Sequence, residues 1–593
     1  MRMATIILSA VVSFLLAIHV PTQLIATPAS AQQPAARVTA SPASTSSPRL
    51  DQFVPSDAVA FIQVKDLKAQ VETLRLIDLW KGLWPLLYPK LKQAPEGGAI
   101  VEAFWPVVAP SLEGAQLTLA LWPDPAQAVS AEQPLNRKLL VGAFIQFASG
   151  NNQLVQLLKS PLAKNLSLGG SSNGLPKLDF AMLNDTLVVG DPSVVAGALQ
   201  GKTSPRSLSD DPGFKAGRAR WASMPIFVYV DPALAQQLIE AQRPVSVSAS
   251  QEKANSFTAV GQMLKRLNIQ KLPKVALGIQ CQGPQTIVSG LLLEERSFSG
   301  SAQAISDLFK LVDVGLRPAQ WQSAQTDASI TLALDWPMLY DAYALGQQQS
   351  VSSSRGSGRL LRPVIERVLD RQLRYQLLPA LGSLSVSTDS LQSWLNESHG
   401  QVDTLNLTAL VSLRNRPLVE RTLNLMQIAN RSNRRAVSHR GIRINQFGQW
   451  HYALLDDFLA VSPQSSSIQS AIEQRRAGRT LADVPEFTRA MQGLPQSVSG
   501  WGYVSPSTIR HFTDTLRQQA VKDDARIAGM LSMFATAFQP ASLGIWKENR
   551  HLALEFRLPE GFLPVVLASN IASNRANVRK QQSQSHAETS SAK

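Results

Sequence analysis

Serine, histidine, aspartate and cysteine are the side chains that could do covalent or acid–base chemistry here, and their spacing argues against it. Gly170-Ser171-Ser172-Asn173-Gly174 fits the G-x-S-x-G pattern, which works only where a strand turns sharply into a helix and lifts the hydroxyl out. Here it sits in a Gly/Ser turn leading to another strand, so a plain loop is the better account. The histidines are His19, His399, His439, His451, His511, His551 and His586, and none has a second His or Cys spaced to set two ligands on one face. There is no P-loop, no G-x-G-x-x-G opening a helix and no calcium loop. Asp66, Asp191, Asp231 and Asp335 each follow a strand and open a helix, where a carboxylate caps free amides. Cys281, the single cysteine, reads as a small buried side chain in a strand. We therefore expect no catalytic residue, no cofactor and no metal site. A non-enzymatic protein is favoured over a hydrolase assembled from dispersed Ser, His and Asp.

Two stretches could bind without chemistry. Between Arg414 and Arg443 lie eight arginines and one acid, Glu420. A guanidinium grips carboxylate or phosphate in two places, so Arg414, Arg416, Arg431, Arg434, Arg435, Arg440 and Arg443 are the candidate contacts for an anionic lipid, a glycan or an envelope protein. The structural alternative is a loop and helix face that simply meets water. The second stretch sets Leu76, Trp80, Leu83, Trp84 and Leu87 on one helical face flanked by Lys81, Lys90 and Lys92. Trp80 and Trp84 would face a membrane surface if that helix lay on one, or a core if it did not.

The elements that must carry these residues come in matched pairs. Phe180 to Val189 and Tyr452 to Val461 agree at five of ten positions, where average composition gives about one match in fifteen. Each reads as strand, tight turn at Asn184-Asp185 or Asp456-Asp457, strand. Each is followed by a helix expected to be capped by Asp191 or Ser462, with Pro192 or Pro463 at its first position. Val195 with Leu199, and Ile468 with Ile472, are expected to form its buried stripe. The same order extends outward: strands at Asp57 to Val64 and Asp327 to Leu334, at Leu139 to Phe147 and Leu405 to Leu413, and closing strand pairs that share Leu-Gly-Ile at 277 to 279 and 543 to 545.

These pairs predict an α+β chain of two similar repeats, each a largely antiparallel sheet with helices packed on one face. The boundaries are a signal peptide over 1–31, an Ala/Ser/Pro linker over 32–50, a first repeat over 51–295, a helical connector over 296–325, a second repeat over 326–560, and a helix end with a polar tail over 561–593. Arg2, the apolar run from Ala4 to Ile18 and Ala29-Ser30-Ala31 point to export with cleavage after Ala31. An uncleaved N-terminal anchor is the alternative, and no later segment is apolar enough to span a membrane. The chain has 593 residues, 44% hydrophobic, with a net charge of +14. Half the excess falls between Arg359 and Arg479, where sixteen arginines, no lysine and nine acids leave +7. Such a field attracts anions, and export to the periplasm or cell envelope disfavours nucleic acid among them.

Pro-Ser-Asp-Ala-Val-Ala-Phe-Ile-Gln-Val at 55–64 and the A-x-L-x-D-x-L-x-V hairpins starting at Ala181 and Ala453 resemble an uncharacterised family of exported bacterial proteins, abundant in cyanobacteria, known only as a domain of unknown function. The resemblance covers roughly residues 50 to 560. It implies an exported α+β protein and carries over no catalytic residue, because its motifs are structural.

Overall fold

The computed structural model describes residues 50–73, 109–124, 139–148, 179–200, 206–232, 234, 273–282, 285–293, 314–340, 373–391, 406–429, 436–495, 497–523, 539–548, 551–560 and 562. Contacts divide the chain into two compact units, residues 1–243 with 276–278, and residues 244–275 with 279–593. The signal peptide, the linker up to residue 49, Trp80, Trp84, the Gly170 motif, Arg431, Arg434, Arg435, the helical connector up to residue 313 and the tail apart from Phe562 lie outside the described residues.

The first unit holds β1 (Ala60–Val64), β2 (Gln116–Pro123), β3 (Leu139–Gln146), β4 (Asp179–Leu183), β5 (Thr186–Gly190) and β6 (Ile226–Val230). All pair antiparallel in the order β4-β5-β3-β2-β1-β6. β3 reads Leu-Leu-Val-Gly-Ala-Phe-Ile-Gln, an almost unbroken apolar run, and such runs belong to strands covered on both sides. Its Ala143 and Ile145 join Leu117, Leu119, Leu187 and Val189 under Leu67 of α1 (Leu67–Thr73) and Leu112. Phe144 points the other way, to Val188 and to Val195 and Ala198 of α2 (Pro192–Leu199). Helices therefore cover both faces in this unit, correcting the one-faced expectation.

The Asn184 turn is the two-residue hairpin expected, with Asn184 at φ 54°, a conformation asparagine tolerates. The helix after it is not capped as expected. Asp191 turns its carboxylate to the Val141 amide of β3 at 3.1 Å, and no side-chain bond caps α2. Leu199 is 54% exposed, so the buried stripe runs through Val195 and Ala198 instead. α3 (Pro212–Arg220) follows, with Asp211 accepting from the Phe214 amide at 2.8 Å. Phe214 is fully buried, with ring centroids 5.4 Å from Tyr229 and 5.6 Å from Phe227, both edge-on.

β7 (Lys274–Gln282) contributes Ala276–Gly278 to the first unit. In the second unit the strands are β8 (Gln285–Leu293), β9 (Ala328–Ala333), β10 (Leu381–Thr388), β11 (Leu407–Leu413), β12 (Ala436–His439), β13 (Ile442–Phe447), β14 (Trp450–Leu455), β15 (Phe458–Ser462), β16 (Gly500–Val504), β17 (Ala541–Glu548) and β18 (His551–Pro559). They form one antiparallel sheet in the order β12-β13-β14-β15-β11-β10-β9-β16-β17-β18-β8. The helices are α4 (Arg416–Ala429), α5 (Ser465–Ala477), α6 (Pro485–Gln492) and α7 (Pro506–Asp523). α5 begins two residues beyond Pro463, and Ser462 Oγ accepts from the Gln464 amide at 3.1 Å, so Pro463 precedes the helix rather than opening it. Ile468 and Ile472 are buried as expected, against Leu410, Ala453 and Ala460. α6 packs Phe487 and Met491 on Trp501 and Tyr503. Because Trp501, Thr331, Ser385, Leu410, Ala460 and Ala453 are successive cross-strand partners, α5 and α6 lie on the same face.

A 3-10 turn precedes α3 and another precedes α6, each closed by a capping box. Ser207 and Asp210 bond in the first, Thr480 and Asp483 in the second, with hydroxyl-to-carboxylate distances of 2.8 and 2.5 Å. Those hydroxyls hold both carboxyls below their ordinary range. A depressed folded value means the stabilisation is present above the usual aspartate range and is lost as pH falls through the folded value. Ser207→Ala with Thr480→Ala is expected to lower stability at neutral pH and to flatten the acid limb of the stability curve, measured by urea unfolding at successive pH values.

Candidate binding surfaces

Several of the described residues singled out for chemistry have structural partners. Asp66, Asp231 and Asp335 cap as expected, accepting from the amides of Ala69 at 3.3 Å, Leu234 at 2.9 Å and Met338 at 3.0 Å. Asp66 does so at φ 46° and also takes the Gly114 amide at 3.3 Å, tying the helix start to the turn before β2. His439 Nε2 lies 3.1 Å from Glu473 Oε1, and His451 Nδ1 lies 3.2 Å from the Pro463 carbonyl oxygen. Neither meets a serine hydroxyl among the described residues. Cys281 is half-buried, its sulfur 3.7 Å from Thr286 Oγ1, and burial pushes its thiol above the ordinary range. Thiolate, the reactive form, is thereby disfavoured. Among the described residues no three His, Cys, Asp or Glu side chains cluster as metal ligands. No described helix is long and apolar enough to cross a membrane.

Among the described residues, the candidate arginines Arg414, Arg416, Arg440 and Arg443 fall at two different turns. Arg414 follows β11 and Arg416 opens α4 beside the Asp456-Asp457 turn, where Arg416 donates to the Asp456 carbonyl at 2.6 Å and Arg317 pairs with Asp457 at 2.9 Å. The acidic turn is thus paired by Arg317, from outside the arginine-rich stretch, while Arg416 bonds its backbone. Arg440 forms a different turn. It stands with Gly441 at positive φ, 52° and 82°, between β12 and β13, and Arg476 donates to its carbonyl at 2.7 Å. The loop-and-helix reading of this stretch is thus corrected: its last part is a β-hairpin, with Arg443 exposed on β13.

A feature outside those candidates is larger. On the face opposite α5 and α6, cross-strand partners line up as rows. One runs Val288, Phe556, Leu543, Gly502, Ile330, Val386, Ala409, Val461 and Tyr452. The next runs Leu554, Ile545, Gly500, Leu332, Leu384, Val411, Leu459 and Leu454. Almost every member is apolar, yet Ile330 is 40% and Phe556 37% exposed, and most others are only half-buried. Contiguous apolar surface of this kind marks a partner, a membrane or a ligand. The signal was present in the alternation of each strand, but the rows join residues up to about 270 positions apart in sequence.

No family model matches the chain, and no curated protein matches it. Among solved structures, "Structure of crystal form I of TP0453" aligns with 43% of this chain and 98% of its own, at 8% identity and a TM-score of 0.20. A likeness at that score carries no argument about function.

Proposed function

We propose that this is a non-enzymatic, exported binding protein of the bacterial envelope that takes a lipid or similar apolar ligand on the second unit's sheet, over Ile330, Leu332, Leu384, Val386 and Phe556. The pair of apolar rows carries this reading. A sheet face with one row of leucines, isoleucines and valines beside another offers acyl chains dispersion contact without a directional polar group, as apolar ligand sites do. The signal-like N-terminus and the resemblance to exported proteins of unknown function support the compartment.

We also read the chain as one α+β unit used twice, β1 to β8 corresponding to β9, β10, β11, β14, β15, β16, β17 and β18. Several observations support it. The pair Ala143 with Val189 recurs as Ala409 with Val461. The aromatic trio Phe214, Phe227, Tyr229 recurs as Phe487, Trp501, Tyr503 with centroids 5.4 and 5.2 Å apart. Ser289 of β8 faces Glu555 of β18, and those positions are related by the same offset that relates the two Leu-Gly-Ile triplets.

The reading is tested by purifying the full chain natively, extracting it for mass spectrometry of lipids, and titrating it with a fluorescent fatty acid. Wild-type protein is expected to carry lipid and bind the probe. Ile330→Glu with Phe556→Glu is expected to weaken binding about tenfold or more, because each carboxylate would have to be desolvated against the ligand. Protein that purifies free of lipid and ignores the probe refutes the reading.

A further inference from the structure

We infer that the β13–β14 corner of the second unit docks on an anionic bilayer surface, which rests on the envelope lipid-binding reading and assigns it a separate contact. The two strands end at Phe447 and Trp450, cross-strand partners on either side of the Gly448-Gln449 turn, 46% and 45% exposed. The turn is closed, with Gly448 at φ 61° and Gln446 Nε2 donating to the Gly448 carbonyl at 3.0 Å, while His451 sets the base of β14 against Pro463. The aromatic pair is therefore held outward by a hairpin. Water-facing turns ordinarily carry Gly, Asn, Asp or Ser beside short polar neighbours; here the flanking positions are the two bulkiest apolar rings of the hairpin.

The period of two along β13 puts Arg443, Asn445 and Phe447 on one side of the strand, about 13 Å from end to end, with Trp450 joining across the turn. Arg443 is exposed and makes no ion pair among the described residues. From Ala436 to Leu455 there are two arginines and no Asp, Glu or Lys. Aromatic rings settle at the level of lipid headgroups, and a guanidinium binds the phosphates beside them. A second copy fits less well, because a two-fold contact through this side would bring the arginines of one copy against those of the other.

The test is co-sedimentation of the full chain with vesicles of phosphatidylcholine alone and of phosphatidylcholine with phosphatidylglycerol in equal parts. We expect binding to the mixed vesicles, a loss of about tenfold or more in Phe447→Ala with Trp450→Ala, and a loss of about fivefold in Arg443→Gln on mixed vesicles only. Urea unfolding of each variant shows whether the fold is kept. Should the double variant fail to fold, Trp450→Gln alone is read in its place, and Phe447→Cys carrying an environment-sensitive dye, in a Cys281→Ser background, should shift to the blue on mixed vesicles. Wild-type protein that ignores mixed vesicles overturns the proposal, as does binding unchanged by these substitutions. A wild-type dimer that the double variant dissolves also overturns it, by making the hairpin a protein contact. Fatty-acid binding over Ile330 and Phe556 is measured on the same variants, so the two readings fail separately.

Discussion

Phe487→Ala is expected to cost the second unit about 3–5 kcal/mol, the range for removing a buried aromatic ring. Phe487 is 1% exposed and sits where α6 meets the sheet, edge-on to Trp501 at 5.4 Å and to Tyr503 at 5.2 Å. The loss has two parts: the transfer of the ring from the interior, and two edge-to-face contacts of about 0.5–1.5 kcal/mol each. Collapse cannot refill the space readily, because Trp501 is anchored by its Nε1 donating to the Gly315 carbonyl at 2.9 Å. Tyr503 is similarly enclosed, its phenol pushed up to about 12 by burial. Phe487→Leu should recover much of the loss. Phe214→Ala, in the first unit, should cost a comparable amount, since Phe214 is equally buried and meets Phe227 and Tyr229 in the same manner. Guanidinium unfolding followed by circular dichroism measures both. A cost below about 1 kcal/mol in either would show that the ring is not the keystone its packing suggests.

Most of this architecture is legible in local sequence because hairpins are local objects. Alternating apolar residues, a turn at Asn184 or Asp456 and a short helix beyond identify each hairpin and its helix, and the strand edges fall within a few residues of expectation. The misses follow from forces that are not local. Asp191 is a good cap by type, but the Val141 amide competes for its carboxylate from 50 residues away. Pro463 has the right type for a first helical position, yet Ser462 closes a turn through the Gln464 amide and delays the helix. The hairpin at Arg440 is hidden because its turn is Arg-Gly rather than Asn-Gly or Asp-Gly, and the surrounding arginines read as a solvated face. The candidate sites are the least legible part. Arginine density in sequence says nothing of the acidic turn that uses Arg317 and Arg416, and no local window contains the apolar rows, whose members meet only through strand register.

Gly278→Ala is expected to be more damaging than Gly544→Ala, although both glycines are the centre of a Leu-Gly-Ile triplet. A methyl group at 278 would lie 2.3 Å from Met224 Sδ, 2.6 Å from Trp221 Cδ1 and 2.7 Å from Trp221 Cγ. The methionine tip can swing aside, but the indole is 4% exposed and walled in near Phe227, with centroids 6.4 Å apart. Relief must therefore come from moving the strand or the ring, and overpacking of that kind costs about 1–3 kcal/mol. At 544 the methyl group would meet only Leu494, 2.9 Å from Cδ2, a flexible end that can rotate away, so the cost should be about 1 kcal/mol or less. The cause can be isolated by a double-mutant cycle: Trp221→Leu is destabilising by itself, but it removes the obstacle, and Gly278→Ala added to it should cost far less than in the wild-type background. Urea unfolding of the four proteins reads the coupling. Additive costs would mean that the glycine is needed for its backbone and not for the ring packed over it.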